Sequence, residues 1–381
     1  MNTSPTCSHL KDKKVILITG GNRGIGKAIC KGLLQKHPNV HVLLGSRDLN
    51  KGNQAADEIK GQNKSLPSCS LTVVQLDVTS DSSVQAAAQM VKRLGCKLYG
   101  IVNNAGVSGS TSASSREILN ANYFGPRRVN NAFSSILVRP GGRVVNVSSV
   151  TAPTYLSGCL FYFEIKRKRR ELHYKLANPF SLKGGVEELD SLATEALGLC
   201  KPSLGTILAV PVVLPKQHAY MLSKALLNAY TAVHSKLEPG LVVNSCCPGF
   251  IHTDLNPLLI ASKTVEQGAL MPINLLMAKE FKSDSDGKFF AEDKAWKLSE
   301  IPGLKSYPKP LAVVFEKLRC QQKKDNNSVG KGHTRMHTRI KTFPLTQRVP
   351  LLLLAACCLL LAAAVSAISA VGLLLTVFHV N

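Results

Sequence analysis

From Val15 onward, short apolar runs alternate with glycine turns and polar helical stretches, and this alternation leaves the chain very few folds. VILIT leads through a glycine turn into a helical run from Gly26, followed by apolar VHVLLGS, a polar helix around Gln54 to Lys60, and LTVVQLDV. That is a βαβαβ pattern. Strands so uniformly apolar are buried on both faces, so helices must cover a parallel sheet on either side through right-handed crossovers. Further strands are expected at LYGIVNNA, GGRVVNVSS and LVVNSCCPG. The fold class is therefore α/β, a doubly wound parallel sheet. Between Thr151 and Pro215 the rhythm breaks into an irregular, partly helical and partly basic stretch. The expected organisation is a polar N-terminus over 1–13 and one domain over 14–300 that contains an insertion at 151–215.

After about Trp296 the chain changes character. A proline-containing stretch leads into a basic linker, 301–348, and then a run from Val349 to Phe378 with no charged residue. About 20 apolar residues suffice to span a bilayer, so 349–378 is expected to be a C-terminal transmembrane helix. Arg335, Arg339, Lys341 and Arg348 precede it, which places its N-terminal side in the cytosol. The expected location is a membrane, with the chain tail-anchored and its body cytosolic. The N-terminal MNTSPTCSHLKDKK lacks the apolar core of a secretory signal. The eleven cysteines form no spaced framework, which excludes a disulfide-built secreted domain and suits a reducing compartment.

The formal net charge of +23 bears on solubility and partners rather than fold. Much of it lies between Lys317 and Arg348, and a second block runs from Lys166 to Arg170. Neither block has interleaved aromatics on which bases could stack, so no nucleic-acid partner is expected. Cys320, His333 and His337 have the spacing of half a zinc finger, but the first cysteine is missing and no metal is expected.

Thr19-Gly20-Gly21-Asn22-Arg23-Gly24-Ile25-Gly26 lies directly after a strand and opens a helix. Glycines let the backbone approach a pyrophosphate, and the helix N-terminus offers free N–H groups and partial positive charge. At the end of the second strand, where an NAD enzyme places a carboxylate, stands Gly45-Ser46-Arg47. Arg47, helped by Arg23, favours a 2′-phosphate, so NADPH is the expected cofactor. Asp77 and Val78 end the third strand and could contact the adenine; Asn104, Ala105 and Gly106 end the fourth.

Tyr220 and Lys224 are one helical turn apart and share a face. A phenol titrates near 10, so proton transfer near neutrality calls for a neighbouring cation, and Lys224 can supply it. Ser149 ends a strand at the sheet's C-terminal edge, where it could hold a carbonyl oxygen.

In this order, TGxxxGIG, NNAG, NVSS and YxxxK resemble the short-chain dehydrogenase/reductase family, whose fold is Rossmann-like. The subgroup resembled is the monomeric carbonyl reductases, through TGGNRGIG, Arg47, GGRVVNVSS, a long insertion before the tyrosine, NSCCPGFIHTDL and GKFFAED, over about Lys14 to Trp296. The resemblance implies a catalytic tetrad of Asn122, Ser149, Tyr220 and Lys224. Tyr220 would protonate a small-molecule carbonyl compound that Ser149 positions. Lys224 would lower the phenol pKa and hold the nicotinamide ribose, and Asn122 would support a water-mediated proton relay. Pro248, Gly249 and Thr253 match the nicotinamide-contacting segment. The insertion implies a monomer, since in the family it covers the dimerisation face. Two other functions fit the same motifs. One is a membrane-bound retinoid or steroid oxidoreductase; the other, a non-catalytic NADPH-binding sensor or scaffold, gives no reason to keep Ser149, Tyr220 and Lys224 together.

Overall fold

The computed structural model describes residues 10, 12–62, 70–109, 112–156, 167–199, 215–249, 251, 263–278, 286–291 and 294–296. The chain divides into two compact units, Met1–Cys200 with Pro215–Lys324, and Lys201–Leu214 with Asp325–Asn381. The second lies outside the described residues, as do the whole linker expected at 301–348, the 349–378 run and Thr253. Among the described residues no helix is long and apolar enough to cross a membrane.

In the first unit the alternation seen in the sequence becomes β1 (Lys14–Ile18), α1 (Gly24–Lys36), β2 (Val40–Ser46), α2 (Leu49–Gly61), β3 (Leu71–Gln75), α3 (Asp81–Arg93) and β4 (Leu98–Asn103). A short α4 (Ser115–Leu119) runs through a π-helical turn at Asn120–Phe124 into α5 (Gly125–Phe133), and β5 (Gly142–Val147) follows. The insertion holds α6 (Thr151–Leu156), α7 (Arg167–Ala177) and α8 (Gly185–Leu199). Then come α9 (Pro215–Leu237), β6 (Leu241–Cys246), α10 (Val265–Met277), β7 (Phe289–Ala291) and β8 (Lys294–Trp296).

The strands form one sheet in the order β3-β2-β1-β4-β5-β6-β7-β8. β1 to β7 run parallel and β8 antiparallel, confirming the doubly wound sheet and adding two short strands to the six expected from sequence. Three-residue strands such as Phe289–Ala291 carry too little periodicity to be read from sequence alone. The strand order reverses between β1 and β4, and this switch point opens a crevice at the strands' C-terminal ends.

Side-chain alternation along β1 builds both layers of the core. Ile16 and Ile18 pack with Leu33 of α1, Val42 and Leu44 of β2 and Ile273 of α10. Val15 and Leu17 pack on the other face with Val84 of α3 and with Val129 and Phe133 of α5. β1 is therefore an unbroken apolar run because both of its faces are covered. Since Leu17 is fully buried, Leu17→Ala is expected to cost about 2–5 kcal/mol, read as a lowered urea midpoint with an unchanged slope.

Candidate active site

The glycine motif is held by the end of β4. The Thr19 hydroxyl oxygen accepts the backbone N–H groups of Asn104 and Ala105, each at 3.0 Å. The Asn104 side-chain amide in turn donates to the carbonyls of Thr19 at 2.9 Å and Gly20 at 3.2 Å. Gly20 and Gly24 take positive φ, +64° and +53°, which side chains of L residues rarely allow. A β-carbon on Gly26 would sit 2.2 Å from the Gly20 carbonyl oxygen, so only glycine lets α1 start this close to the loop. No side chain caps the N-terminus of α1, at Arg23, and its first turn holds no acid. That leaves a tight cradle of first-turn N–H groups suited to an anion. Asn22 is half-buried, Ile25 packs against the α1 and α10 layer, and Arg23 and Arg47 are exposed, Arg47 just beyond β2. These residues fit a nicotinamide dinucleotide.

Asp77 is turned toward its own loop, where Oδ1 accepts the backbone N–H of Thr79 at 2.9 Å and its hydroxyl at 2.7 Å. The Val78 side chain is buried in the α3 and α5 layer, so only its backbone is left to face a ligand. Gly106 is kept small by Asn122, whose Oδ1 would lie 2.9 Å from a β-carbon there.

Ser149, Tyr220 and Lys224 converge where β5 and β6 end against α9. Tyr220 is half-buried, and burial pushes its phenol up to about 12 while a hydrogen bond with Ser149 pulls it back. The Ser149 oxygen also accepts the backbone N–H of Thr151 at 3.2 Å. Lys224 is buried, and its Nζ donates to the Val147 carbonyl at 2.8 Å while lying 5.8 Å from the Tyr220 ring centre. Burial lowers its pKa to about 8, with the neighbouring thiols of Cys247 and Cys246 acting the other way. Lys224 thus reaches the end of β5 rather than the phenol oxygen. The lowered phenol pKa expected from the Tyr-x-x-x-Lys spacing is not what this arrangement produces, because desolvation of Tyr220 dominates.

Asn122 sits in the π-helical turn, a feature that often marks functional positions. Its Oδ1 accepts from the Val107 N–H at 2.8 Å, and its Nδ2 donates to the Val107 carbonyl at 2.8 Å and the Ser223 hydroxyl at 3.0 Å. Ser223 donates to the Tyr220 carbonyl at 2.6 Å, so Asn122 is coupled to the turn of α9 that carries the phenol. Sequence reading missed Ser223 and a buried amide chain behind the site. In that chain Asn103 donates to Asn130 and Asn146, Asn130 to Tyr230, and Asn146 to Thr231. Its only trace in the sequence is polar residues inside apolar strands. Pro248 and Gly249 follow β6 at the same edge, Gly249 with φ +97°; Thr253 lies outside the described residues.

Comparison with known proteins decides the family. A family model described as short chain dehydrogenase matches residues 14–177. Short-chain dehydrogenase/reductase 1 from Saponaria officinalis is 32% identical over 302 residues, 71% of this chain and 92% of that protein. The chain belongs to the short-chain dehydrogenase/reductase family. It is an oxidoreductase of this type. Within the family, carbonyl reductase (NADPH) 1 from Homo sapiens is 28% identical over 293 residues, 74% of this chain and 96% of that one. Among solved structures, salutaridine reductase from Papaver somniferum aligns with a TM-score of 0.60 at 28% identity, over 73% of this chain and 99% of that one.

Lys224 gives a pH test. Its folded pKa, about 8, lies below the ordinary 10.5, so between these values the unfolded chain holds a proton that the folded chain lacks. Its contribution to stability is therefore unfavourable below about pH 8 and improves as pH rises toward 10.5. Urea midpoints of wild type and Lys224→Met are expected to differ in the variant's favour at low pH, the gap narrowing across that window. A gap that widens would reject the assignment.

Proposed function

We propose that this chain reduces aldehydes, ketones or quinones to alcohols with NADPH, with Asn122, Ser149, Tyr220 and Lys224 as the working residues. The observation that carries the reading is the convergence of Ser149, Tyr220 and Lys224 beside a glycine cradle on one edge of the sheet. When bound, the cofactor supplies a hydride to the carbonyl carbon. Tyr220, kept protonated by burial, gives its proton to the carbonyl oxygen. Ser149 orients that oxygen through its own hydroxyl, which is hydrogen-bonded with Tyr220. Lys224, with a pKa near 8, is poised to return a proton to the phenol, and its ammonium suits the nicotinamide ribose hydroxyls. Asn122 holds Val107 and Ser223, and through them the wall of the pocket and the phenol's helical turn. Preference for NADPH rests on Arg47, which stands where a ribose-binding carboxylate would exclude a 2′-phosphate.

A monomer is supported by α8, which packs on α9 and α4. Asp190 accepts the Tyr123 hydroxyl at 2.8 Å and pairs with Arg127, filling the face that the family uses for dimers.

In a panel of aldehydes, ketones and quinones followed by NADPH absorbance, wild type should oxidise NADPH well ahead of NADH. Tyr220→Phe should lose about 10²–10⁴-fold in kcat while still binding NADPH. A variant with wild-type kcat would reject the proton-donor role. The uncharged 349–378 run behind its basic flank supports a tail anchor with a cytosolic body. On expression in cells, the full chain should resist carbonate extraction from membranes, and a chain ending at Arg348 should be released.

A further inference from the structure

Lys263 precedes α10, and its side chain is laid along Gly249. A β-carbon on Gly249 would fall 3.0 Å from its Cδ and 3.4 Å from its Cε and Nζ, so the glycine makes room for the lysine. The backbone is fixed by a parallel bridge between Lys263 and Ile251, in the chain leaving β6. The first turn of α10 leans on the glycine motif: a β-carbon on Gly268 would meet Ile251 at 2.7 Å and Ile25 at 3.6 Å. Lys263 itself is thus held at Gly249 and Ile251, on the chain leaving β6, and the turn of α10 that follows it packs toward Ile25 of α1. Its charge reaches inward far enough to act on the buried Cys247 thiol. The ammonium nevertheless has no hydrogen-bond or ion-pair partner among the described residues. A stem packed on Gly249, with a head that has no partner among the described residues, at the strand edge that also carries the glycine motif, is arranged for an anion that arrives from outside the chain.

We propose that Lys263 is a further cofactor-binding residue, an ammonium ligand to the diphosphate of NADPH from the side opposite the N-terminus of α1. This rests on the NADPH reading above. The alternative, a lysine solvated at the rim, predicts no effect on binding.

The test is calorimetric binding of NADPH and of adenosine 2′-monophosphate to the full chain, as wild type, Lys263→Met and Lys263→Arg. Adenosine 2′-monophosphate engages the Arg47 end but carries no diphosphate. The expected result is an NADPH Kd raised about tenfold in Lys263→Met, as loss of one charge-assisted contact implies, and near wild type in Lys263→Arg. Adenosine 2′-monophosphate should bind all three alike, which also reports that the variants fold. If Lys263→Met binds NADPH like wild type, or weakens both ligands equally, the assignment of Lys263 is overturned and the NADPH reading stands. If wild type binds neither ligand, the NADPH reading fails and this inference falls with it.

Discussion

Everything at the candidate site depends on the clasp between β1 and β4. Parallel pairing brings the two strands side by side, and their connections then leave in opposite directions, which is what opens a crevice in a doubly wound sheet. The Thr19 hydroxyl and the Asn104 amide lock the two strand ends together, so the glycine turn and the NNAG turn cannot move apart. Gly26 closes the same unit, because a side chain there would collide with both Gly20 and Asn104. The anion cradle of α1 and the pocket wall after β4 are in this sense one object.

Behind that object, burial rather than local charge sets the chemistry. A phenol partly withdrawn from water and an ammonium buried in the core are both driven toward their neutral forms, upward for Tyr220 and downward for Lys224. The pair thereby meets from opposite sides the requirement for moving a proton: a donor kept protonated, and an amine that can release a proton close to neutrality. The amide chain of Asn103, Asn130 and Asn146 shows how polar groups are tolerated beneath this site. Each of the three side chains reaches a partner on a neighbouring element, the Asn103 oxygen alone being left over, so the strands and α9 are held in a fixed register.

The insertion couples to the same helix. Tyr155 of α6 packs between His173 of α7, tilted with ring centres 4.7 Å apart, and His218 of α9, edge-on at 5.2 Å and two residues before Tyr220. Farther along, Asp190 of α8 joins Tyr123 and Arg127, residues of the π-helical turn and α5. The segment that interrupts the βα rhythm is therefore packed against the elements that carry Asn122 and Tyr220.

The sequence by itself determined the sheet and its crevice. Apolar runs in VILIT and VHVLLGS admit only strands covered on both faces, and a glycine turn between strand and helix admits little but a close approach to an anion. It also put Tyr220 and Lys224 on one face, since helical spacing fixes which residues share it, and set Ser149 at a strand end. The tertiary structure alone decided how those groups titrate, because desolvation depends on what packs over a side chain and not on its neighbours in the chain. Tyr220 is raised where spacing to Lys224 had suggested lowering, for that reason. The partners of Asn122, the amide chain from Asn103 and the setting of Lys263 over Gly249 were likewise invisible beforehand. Each joins residues far apart in sequence, and such contacts exist only once the sheet has brought its strand ends together.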